Sequence, residues 1–409
     1  MDNLLTIKQY KNLEEILKAV NRNYVTVSDD DIDEVNPILI AVLDRVIGAM
    51  QIVNPLFKEL YSTKYYGGSF FDGIKVGKPD EFDLDLKLNL PRILEAKLIQ
   101  TDEPGFIKLQ MPGWTRLQRD RSLFAKFQEL AKMKDEDNYL LYSKVMIWME
   151  SVVDKALNSL GRDRFTQLTI GNSTVSIATQ KNGPAITLNI RCDHFNFDVD
   201  LVASFRFLDD KWPTYPFRQH DRHLPDEFLV IPKPPKIFVY DRQRYWRLSF
   251  QAQEQIMIRG NNFCKPALRL LKKLRDTFNH NIPSYYIKTV FLWEIEKQQY
   301  NSGFWNTSLS SVFMHMLNAY MDMLDAKEIP YFWNKENNLL DNIGSDTVAN
   351  IRNLLRRMIN DINRNIDTDL FRIAEYLLPN HEYRELIHHF EDQPELLDTP
   401  EESWNCTIL

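Results

Sequence analysis

The chain of 409 residues has few cysteines and no long apolar run. Its three cysteines, Cys192, Cys264 and Cys406, lie far apart in the sequence. This spacing argues against a disulfide framework and indicates a reducing compartment, so we expect a cytoplasmic protein. No run of about 18 apolar residues occurs, and the first residues lack the basic and apolar segments of a signal peptide. We therefore expect neither a transmembrane span nor a secretory signal.

An excess of positive charge is also missing, because the formal net charge is −7 at pH 7. The segment from Glu391 to the end, however, holds six acids and no Lys or Arg, so the rest of the chain is close to neutral. Charge therefore does not exclude a nucleic-acid partner. With 44% hydrophobic and 26% charged residues, the composition is that of a globular protein long enough for one two-lobed unit or two domains.

Helical and strand patterns occupy different parts of the chain. Apolar residues between Ile32 and Tyr61 recur at helical spacing and predict a long N-terminal helix that Pro55 interrupts. Strands are predicted over 70–76 and 81–88 and in four further segments between 165 and 205, with helices over 121–133 and 139–160. After Phe250 the pattern is mainly helical. These elements predict an α+β protein with a mixed sheet.

A concentration of six prolines between Leu208 and Lys236 predicts a break in regular structure. We therefore expect a sheet lobe with the long N-terminal helix over 1–210, a proline-rich linker over 211–245 and a helical lobe over 246–390. The residues 391–409 form an acidic tail.

The clearest chemical signal follows the Gly68-Ser69 turn. On the next predicted strand, Glu81, Asp83 and Asp85 occupy alternate positions, so their side chains share one face. Two carboxylates about 5 Å apart repel by roughly 3 kcal/mol at an effective dielectric constant near 20. Such a face favours a bound cation or a raised pKa. The alternative is the solvated face of a half-buried strand.

A small turn beside alternating carboxylates is an arrangement suited to nucleotidyl transfer. Two Mg²⁺ ions about 3.5 to 4 Å apart can clamp the attacking hydroxyl and the triphosphate oxygens. The backbone N–H groups of the turn can approach the phosphates. A third carboxylate is expected from a neighbouring strand, where Asp198 and Asp200 share the face opposite Phe197 and Val199. Spacing alone leaves both acids open.

Several motifs in order resemble cyclic GMP-AMP synthase and its animal relatives, the cyclic GMP-AMP synthase-like receptors, and insect members of that family in particular. The motifs are Gly68-Ser69 with Glu81-Phe82-Asp83, Val199-Asp200, Trp246-Arg247-Leu248-Ser249-Phe250, Ser284-Tyr285-Tyr286-Ile287-Lys288-Thr289 and Ile329-Pro330-Tyr331-Phe332. The resemblance covers roughly residues 35 to 370. It implies a bilobal nucleotidyltransferase, with a mixed-sheet catalytic lobe and a helical C-terminal lobe joined by a long N-terminal helix. Such an enzyme makes a cyclic dinucleotide from ATP and GTP after nucleic acid binds, as a second messenger of innate immunity.

The same resemblance assigns roles to individual residues. Glu81, Asp83 and Asp200 match the three catalytic, metal-binding acids, which implies Mg²⁺ or Mn²⁺ as cofactor and leaves Asp85 without a role. The nucleotide-binding positions that it implies are Gly68, Ser69, Arg247, Ser249, Glu254, Lys272, Ser284 and Tyr285. Core packing is the alternative for Tyr285. Val202 replaces a threonine that helps to read the acceptor base in the vertebrate enzyme, so the order and linkage of the nucleotides stay open.

The segment between Phe250 and Lys265 is too short for the zinc module of the vertebrate enzyme. Its lone cysteine, Cys264, cannot complete a tetrahedral set of four ligands, so we expect no structural zinc. In the vertebrate enzyme that module helps to grip double-stranded DNA. Its absence, together with the resemblance to insect members, favours double-stranded RNA over DNA as the activator.

A basic stretch follows this segment. Lys265, Arg269 and Lys272 recur at i, i+4 and i+7, so they form one stripe of a predicted helix. The resemblance places Lys265 and Arg269 at nucleic-acid contacts. Oligomerisation on the nucleic acid is a separate expectation. A solvated helix face is the alternative.

The chain ends in Cys406-Thr407-Ile408-Leu409, which fits a geranylgeranylation pattern. One lipid would give only weak membrane association, and an unmodified terminus is the alternative. Two other functions compete with the main hypothesis. One is an oligoadenylate-type or terminal nucleotidyltransferase, and the other is a non-catalytic binding or scaffold relative, against which the intact acids and the Gly68-Ser69 turn count.

Overall fold

The computed structural model describes residues 10–161, 166–171, 173–299 and 303–393. The prenylation pattern at Cys406 and most of the predicted acidic tail lie outside these residues. In chain order the strands are β1 (Tyr61–Gly67), β2 (Glu81–Leu88), β3 (Lys97–Gln100), β4 (Phe106–Gln110), β5 (Thr166–Ile170), β6 (Ser173–Asn182), β7 (Ala185–Arg191), β8 (Asn196–Leu208), β9 (Glu227–Ile231), β10 (Tyr245–Ser249), β11 (Pro330–Tyr331) and β12 (Asn334–Asn338).

The α-helices of the described residues are α1 (Glu14–Val20), α2 (Asp29–Val53), α3 (Pro55–Leu60), α4 (Gly68–Phe71), α5 (Trp114–Arg119), α6 (Arg121–Phe127), α7 (Tyr142–Leu160), α8 (Gln251–Ile258), α9 (Cys264–Thr277), α10 (Ser284–Lys297), α11 (Leu309–Asp325), α12 (Ser345–Asn365), α13 (Arg372–Leu377) and α14 (Asn380–Asp392). The chain forms two compact units. Among the described residues, the sheet unit comprises those within 27–259 and 330–338, and the helical unit comprises those within 10–26, 260–329 and 339–393. The predicted α+β class with two lobes is confirmed.

The sheet unit is built on a mixed ten-stranded sheet. Its main path runs in the order β3-β4-β10-β9-β8-β7-β6-β5, while β2 pairs with both β1 and β8. Strand β2 runs parallel to β8, whereas the other described pairs in this sheet are antiparallel. Strand β8 is long enough to pair with β7 near its start and with β9 near its end. Adjacent strands β2 and β8 therefore bring two distant acidic segments side by side.

Helix α2 covers part of this unit by packing against α7. Ser28 caps its first turn by accepting a hydrogen bond from the backbone N–H of Asp31 at 3.1 Å. The predicted interruption at Pro55 is confirmed, because α2 ends at Val53 and Pro55 occupies the first turn of α3, where a missing N–H costs nothing. The predicted helix over Ile32–Tyr61 is thus two helices.

The strand predicted over 70–76 is wrong. The strand lies earlier, in β1, and the Gly68-Ser69 segment begins the one-turn helix α4. The reason is the pairing of β1 with β2, which runs from Tyr61 opposite Leu88 to Gly67 opposite Asp83 and gives the backbone of β1 its hydrogen-bond partners. The sequence pattern left residues 62–67 of that strand unassigned.

The predicted linker over 211–245 is part of the sheet unit. It contains β9, which pairs with β8 and β10, and its prolines lie outside that strand. Trp212 from this segment lies 5.0 Å from Phe250 between ring centroids, and Phe250 stacks on Trp333 at 4.6 Å. Contact of the half-buried Trp212 with the buried ring of Phe250 fixes the segment to the sheet unit, and the units divide at Arg259 and Gly260 instead.

Part of the N-terminal region passes a length and hydropathy test for a membrane span. The helical stretch between Lys11 and Val53 has a window of mean hydropathy 1.5, and half of that window is buried inside the protein. Residues such as Leu39, Val42 and Val46 in α2 are among the buried ones. A core helix passes the same test, so the expectation of no membrane span stays a prediction.

The helical unit includes a contact that ties the first described residues to a distant helix. The Glu14 carboxylate accepts hydrogen bonds from the backbone N–H groups of Leu309 at 3.1 Å and Ser310 at 2.7 Å. These N–H groups belong to the first turn of α11 and have no acceptor within the helix. Negative charge is favourable at this end of a helix. Glu14 is almost fully buried there.

Replacing Glu14 by Ala should therefore destabilise the protein by about 1 to 3 kcal/mol, because two buried N–H groups lose their acceptor. Chemical denaturation measures this loss. Glu15→Ala is the matched control, since Glu15 forms a partly exposed pair with Lys18 and should cost at most about 1 kcal/mol. Equal destabilisation by the two variants would contradict the assignment.

Candidate active site

The turn between β1 and α4 requires glycine. Gly68 has a φ of +75°, a region that L-residues rarely adopt, and a Cβ at this position would lie 1.7 Å from Oδ2 of Asp83. The Asp83 carboxylate therefore lies directly against the turn. Ser69 follows in the one-turn helix, half-buried, with its carbonyl accepting a hydrogen bond from the backbone N–H of Ile74 at 2.9 Å.

Parallel pairing of β2 with β8 aligns the acidic residues. Asp83 is the register partner of Asp200, and Glu81 is the partner of Asp198. Register partners on neighbouring strands project from the same face, so all four carboxylates share one face of the sheet. The predicted third acid thus lies beside Asp83, on the neighbouring strand expected to supply it.

Neighbouring polar groups orient these acids. Thr187 Oγ1 donates a hydrogen bond to Asp200 Oδ1, and Asn189 Nδ2 donates one to Asp198 Oδ1 at 2.8 Å, both from β7. Glu81 stands at the exposed start of β2, where its Oε2 is 3.8 Å from Nζ of Lys75. The two acids left open by the spacing therefore have different partners, and the choice of Asp200 as ligand stays a prediction.

Burial and repulsion act together on Asp83. The pKa of its carboxyl rises from 3.8 to about 6, first because it is buried and then because Glu81 and Asp200 add negative charge, while Lys75 opposes the rise. Asp85 lies deeper, nearly fully buried, and burial followed by the charge of Asp83 raises its pKa to about 6 as well. The face thus holds a concentration of negative charge that a cation would relieve.

The donor set suits a hard divalent ion. Carboxylate oxygens are the ligands that Mg²⁺ uses, and Glu81, Asp83 and Asp200 supply them from one face. Within the described ranges, however, no three acidic, His or Cys side chains are gathered closely enough to hold a metal ion. The three carboxylates suit the ion in their chemistry and share one face of the sheet. Their role as ligands stays a prediction.

Three further predicted positions belong to the sheet unit. Arg247 in β10 lies with its guanidinium carbon 5.8 Å from the ring centroid of Tyr331. Ser249 ends the same strand and is buried. Glu254 in α8 is also buried, and its Oε1 accepts a hydrogen bond from Nε1 of Trp333 at 3.0 Å. The Glu254 carboxylate therefore contributes to the packing of the aromatic core around Trp333.

The remaining predicted positions belong to the helical unit. Ser284 and Tyr285 open α10, and both are half-buried. Lys265 and Arg269 lie half-buried on α9, with Arg269 Nε 3.3 Å from Asn21 Oδ1. Lys272 on the same helix is buried. The predicted basic stripe is therefore not a uniformly solvated helix face, because Lys272 points into the helical unit.

Sequence reasoning missed how Asp85 and Gln251 are used. The resemblance leaves Asp85 without a role, yet Asp85 accepts hydrogen bonds from Ser204 Oγ and from Gln251 Nε2, the latter at 3.3 Å. The alternation of β2 did show that Asp85 shares a face with Asp83. No local signal could identify Gln251, since its partner is 166 residues away in the chain.

Comparison with known protein families agrees with the fold and the candidate site. Residues 70–260 match the Mab-21 protein nucleotidyltransferase domain, and residues 263–357 match the Mab-21 protein HhH/H2TH-like domain. The two matches meet near the observed division at Arg259 and Gly260. The protein therefore contains a nucleotidyltransferase domain followed by a helical domain.

Whole-chain similarity is more specific. The chain is 38% identical over 407 residues to a cyclic GMP-AMP synthase-like receptor of Tribolium castaneum, covering 97% of this chain and 100% of the relative. It is 36% identical over 384 residues to one of Aethina tumida, covering 93% and 96%. Similarity to cyclic GMP-AMP synthase-like receptor 1 of Drosophila melanogaster is 26% over 359 residues, covering 85% of this chain and 91% of the relative. The chain belongs to the cyclic GMP-AMP synthase-like receptor family.

Replacing Gly68 by Ala should displace the Asp83 carboxylate, and Gly77→Ala is the matched control. Both glycines have a φ near +75°, but nothing lies within 4 Å of a Cβ at Gly77. Each substitution should cost about 1 to 2 kcal/mol of backbone strain, measured by thermal unfolding. Only Gly68→Ala should also abolish Mg²⁺-dependent nucleotide binding, measured by calorimetry. Equal nucleotide binding by the two variants would contradict the contact with Asp83.

Asp83→Asn should stabilise the metal-free protein in a pH-dependent way. Because the folded pKa of Asp83 is about 6 and its ordinary value is 3.8, ionisation of this carboxyl costs stability. The free energy of unfolding falls as the pH rises from about 4 to about 6, and the full loss is present above about pH 6. The melting temperature of Asp83→Asn in EDTA should therefore match that of the unmodified protein near pH 4 and exceed it at pH 7 to 8.

The exposed Asp210→Asn variant is the control, and its melting temperature should follow the unmodified protein throughout the titration. A difference for Asp83→Asn that does not grow with pH would refute the repulsive environment of Asp83.

Proposed function

We propose that this protein is a nucleic-acid-activated nucleotidyltransferase that makes a cyclic dinucleotide of the cyclic GMP-AMP type from ATP and GTP. The observation that carries the proposal is the pairing of Asp83 with Asp200 across β2 and β8, directly against the Gly68 turn. Membership of the receptor family supports the product class, since the relatives named above carry cyclic GMP-AMP synthase in their names.

The reaction joins a hydroxyl of one nucleotide to the α-phosphate of another, and pyrophosphate leaves. A second transfer closes the ring. In this proposal the Gly68-Ser69 turn binds the triphosphate through backbone N–H groups and the serine hydroxyl. A carboxylate of the acidic face accepts the proton of the attacking hydroxyl. Thr187, by donating to Asp200, keeps that carboxylate directed along the shared face.

Glu81, Asp83 and Asp200 would hold Mg²⁺ or Mn²⁺, which neutralises the triphosphate and makes the attacking hydroxyl more acidic when bound. The raised pKa of Asp83 supports this assignment, because a cation at the acidic face would offset the repulsion from Glu81 and Asp200.

Further nucleotide contacts are proposed for residues of each unit. In the sheet unit, Arg247 and Ser249 of β10 would contact a base, and Glu254 of α8 would serve the acceptor nucleotide. In the helical unit, Lys272 would lie near the triphosphate, and Tyr285, with Ser284 beside it in sequence, would stack on a base. The strongest support is for Arg247, whose half-buried guanidinium lies near the Tyr331 ring and is thereby held in place for planar recognition.

Double-stranded RNA is the proposed activator, in preference to DNA, with Lys265 and Arg269 among its phosphate contacts. The support is their position on α9, where both side chains are half-exposed. Binding through phosphates should weaken strongly as salt rises. The cytoplasmic location, the absence of structural zinc, oligomerisation on RNA and weak membrane association through a prenylated Cys406 are parts of the same proposal.

The test combines product analysis with one pair of variants. Purified protein is incubated with ATP, GTP and Mg²⁺, with long double-stranded RNA, double-stranded DNA, single-stranded RNA or no nucleic acid, and products are resolved by chromatography and mass spectrometry. We expect a cyclic dinucleotide in the double-stranded RNA reaction. Asp200→Asn should lower its yield at least about 100-fold, whereas Asp198→Asn, the neighbouring acid on the same face, should retain most activity.

The proposal fails if folded protein yields no dinucleotide with any of these nucleic acids. Linear oligoadenylate from ATP alone would favour the alternative of an oligoadenylate-type enzyme. Equal loss in the two aspartate variants would refute the choice of Asp200 over Asp198.

A further inference from the structure

A glutamine beside the acidic face contacts Ser249, Asp85 and Gly67. Gln251 is the first residue of α8, and Phe250 separates it from the end of β10. Its Nε2 donates hydrogen bonds to Ser249 Oγ at 3.1 Å and to Asp85 Oδ2 at 3.3 Å. Its Oε1 occupies the space beside Gly67, where a Cβ would lie only 2.2 Å away.

Gly67 and Gly68 are consequently packed from two sides. Gln251 fills the space beside Gly67, and the Asp83 carboxylate fills the space beside Gly68. Strand pairing adds a third constraint, because Gly67 is the register partner of Asp83 across β1 and β2. The position of the turn relative to Asp83 therefore depends on side chains as well as on backbone pairing.

Asp85 fixes the orientation of Gln251. Its carboxylate is buried, with Ser204 Oγ donating to Oδ1 and Gln251 Nε2 donating to Oδ2. Because both amide hydrogen bonds of Gln251 are made through Nε2, its Oε1 must face the other way, toward Gly67. Asp85 thus acts on the turn through Gln251.

We propose that Gln251 and Asp85 are positioning residues that hold the Gly67–Gly68 turn against Asp83 and so set where the triphosphate lies relative to the acidic face. This inference rests on the proposed function for its catalytic consequence. The geometry of the turn itself is independent of which nucleotides are used.

Gly67 allows a direct test, because its backbone suits any residue. Its φ of −108° lies in the extended region, so the obstacle to an alanine there is the mobile end of the Gln251 side chain. Gly67→Ala should therefore expel the Gln251 amide and reproduce Gln251→Ala. The double variant should be no worse than either single one, since both changes remove the same contact.

We expect each single variant and the double variant to lower kcat by the same factor, about 10- to 100-fold, with a small change in KM. The melting temperature should fall slightly at most, because the buried Asp85 carboxylate keeps its Ser204 donor. Gln110→Ala is the control, since Gln110 lies on β4, where its side chain bonds the exposed Asp137 carbonyl. Multiplicative losses in the double variant, or a fall in stability that accounts for the lost activity, would overturn the proposal.

Hydrogen exchange supplies a readout that needs no turnover. In Gln251→Ala and Gly67→Ala, amides in the segment 67–74 should exchange faster than in the unmodified protein and equally in both, with Gln110→Ala unchanged. Unaltered exchange would refute the positioning role even if the protein proves catalytically active. Faster exchange in a protein that makes no dinucleotide would instead leave the positioning of the turn supported and reject the proposed function.

Discussion

Parallel pairing of β2 with β8 is the constraint on which the candidate site depends. Residues 81–88 and 198–205 form this ladder, and its register places Asp83 beside Asp200. Like charges so close would separate if the backbone allowed it. The ladder and the Thr187 hydrogen bond to Asp200 prevent that separation. The Gly68 turn lies directly against the Asp83 carboxylate.

The arrangement is costly in the absence of a cation. Burial, Glu81 and Asp200 together raise the pKa of Asp83 to about 6, and burial raises that of Asp85 to a similar value. Active sites commonly combine burial with like charges in this way, because groups placed for a bound ligand are not arranged for stability in its absence. The core of the sheet unit offsets the cost with stacked aromatic rings such as Phe250 and Trp333.

Local patterns predicted what depends on neighbours in sequence. Strand alternation gave the shared face of Glu81, Asp83 and Asp85, and Pro55 correctly marked the end of a helix. The register of β2 against β8 joins segments more than 100 residues apart, so no local rule could supply it. The same limit explains why β1 was not predicted and why the prolines around β9 suggested a linker. It also explains why the burial of Lys272 and the Trp333 contact of Glu254 were not predicted.

The most direct test of this account is a crystal structure with Mn²⁺ and a non-hydrolysable ATP analogue, read by anomalous scattering. The account predicts an anomalous peak for an Mn²⁺ ion bound by the carboxylates of Asp83 and Asp200. The distance from the ion to the carboxylate oxygens should be about 2.1 Å, typical of small divalent ions. The triphosphate should lie against the Gly68-Ser69 turn. A nucleotide bound elsewhere, or an ion held by phosphates with both carboxylates out of contact, would contradict it.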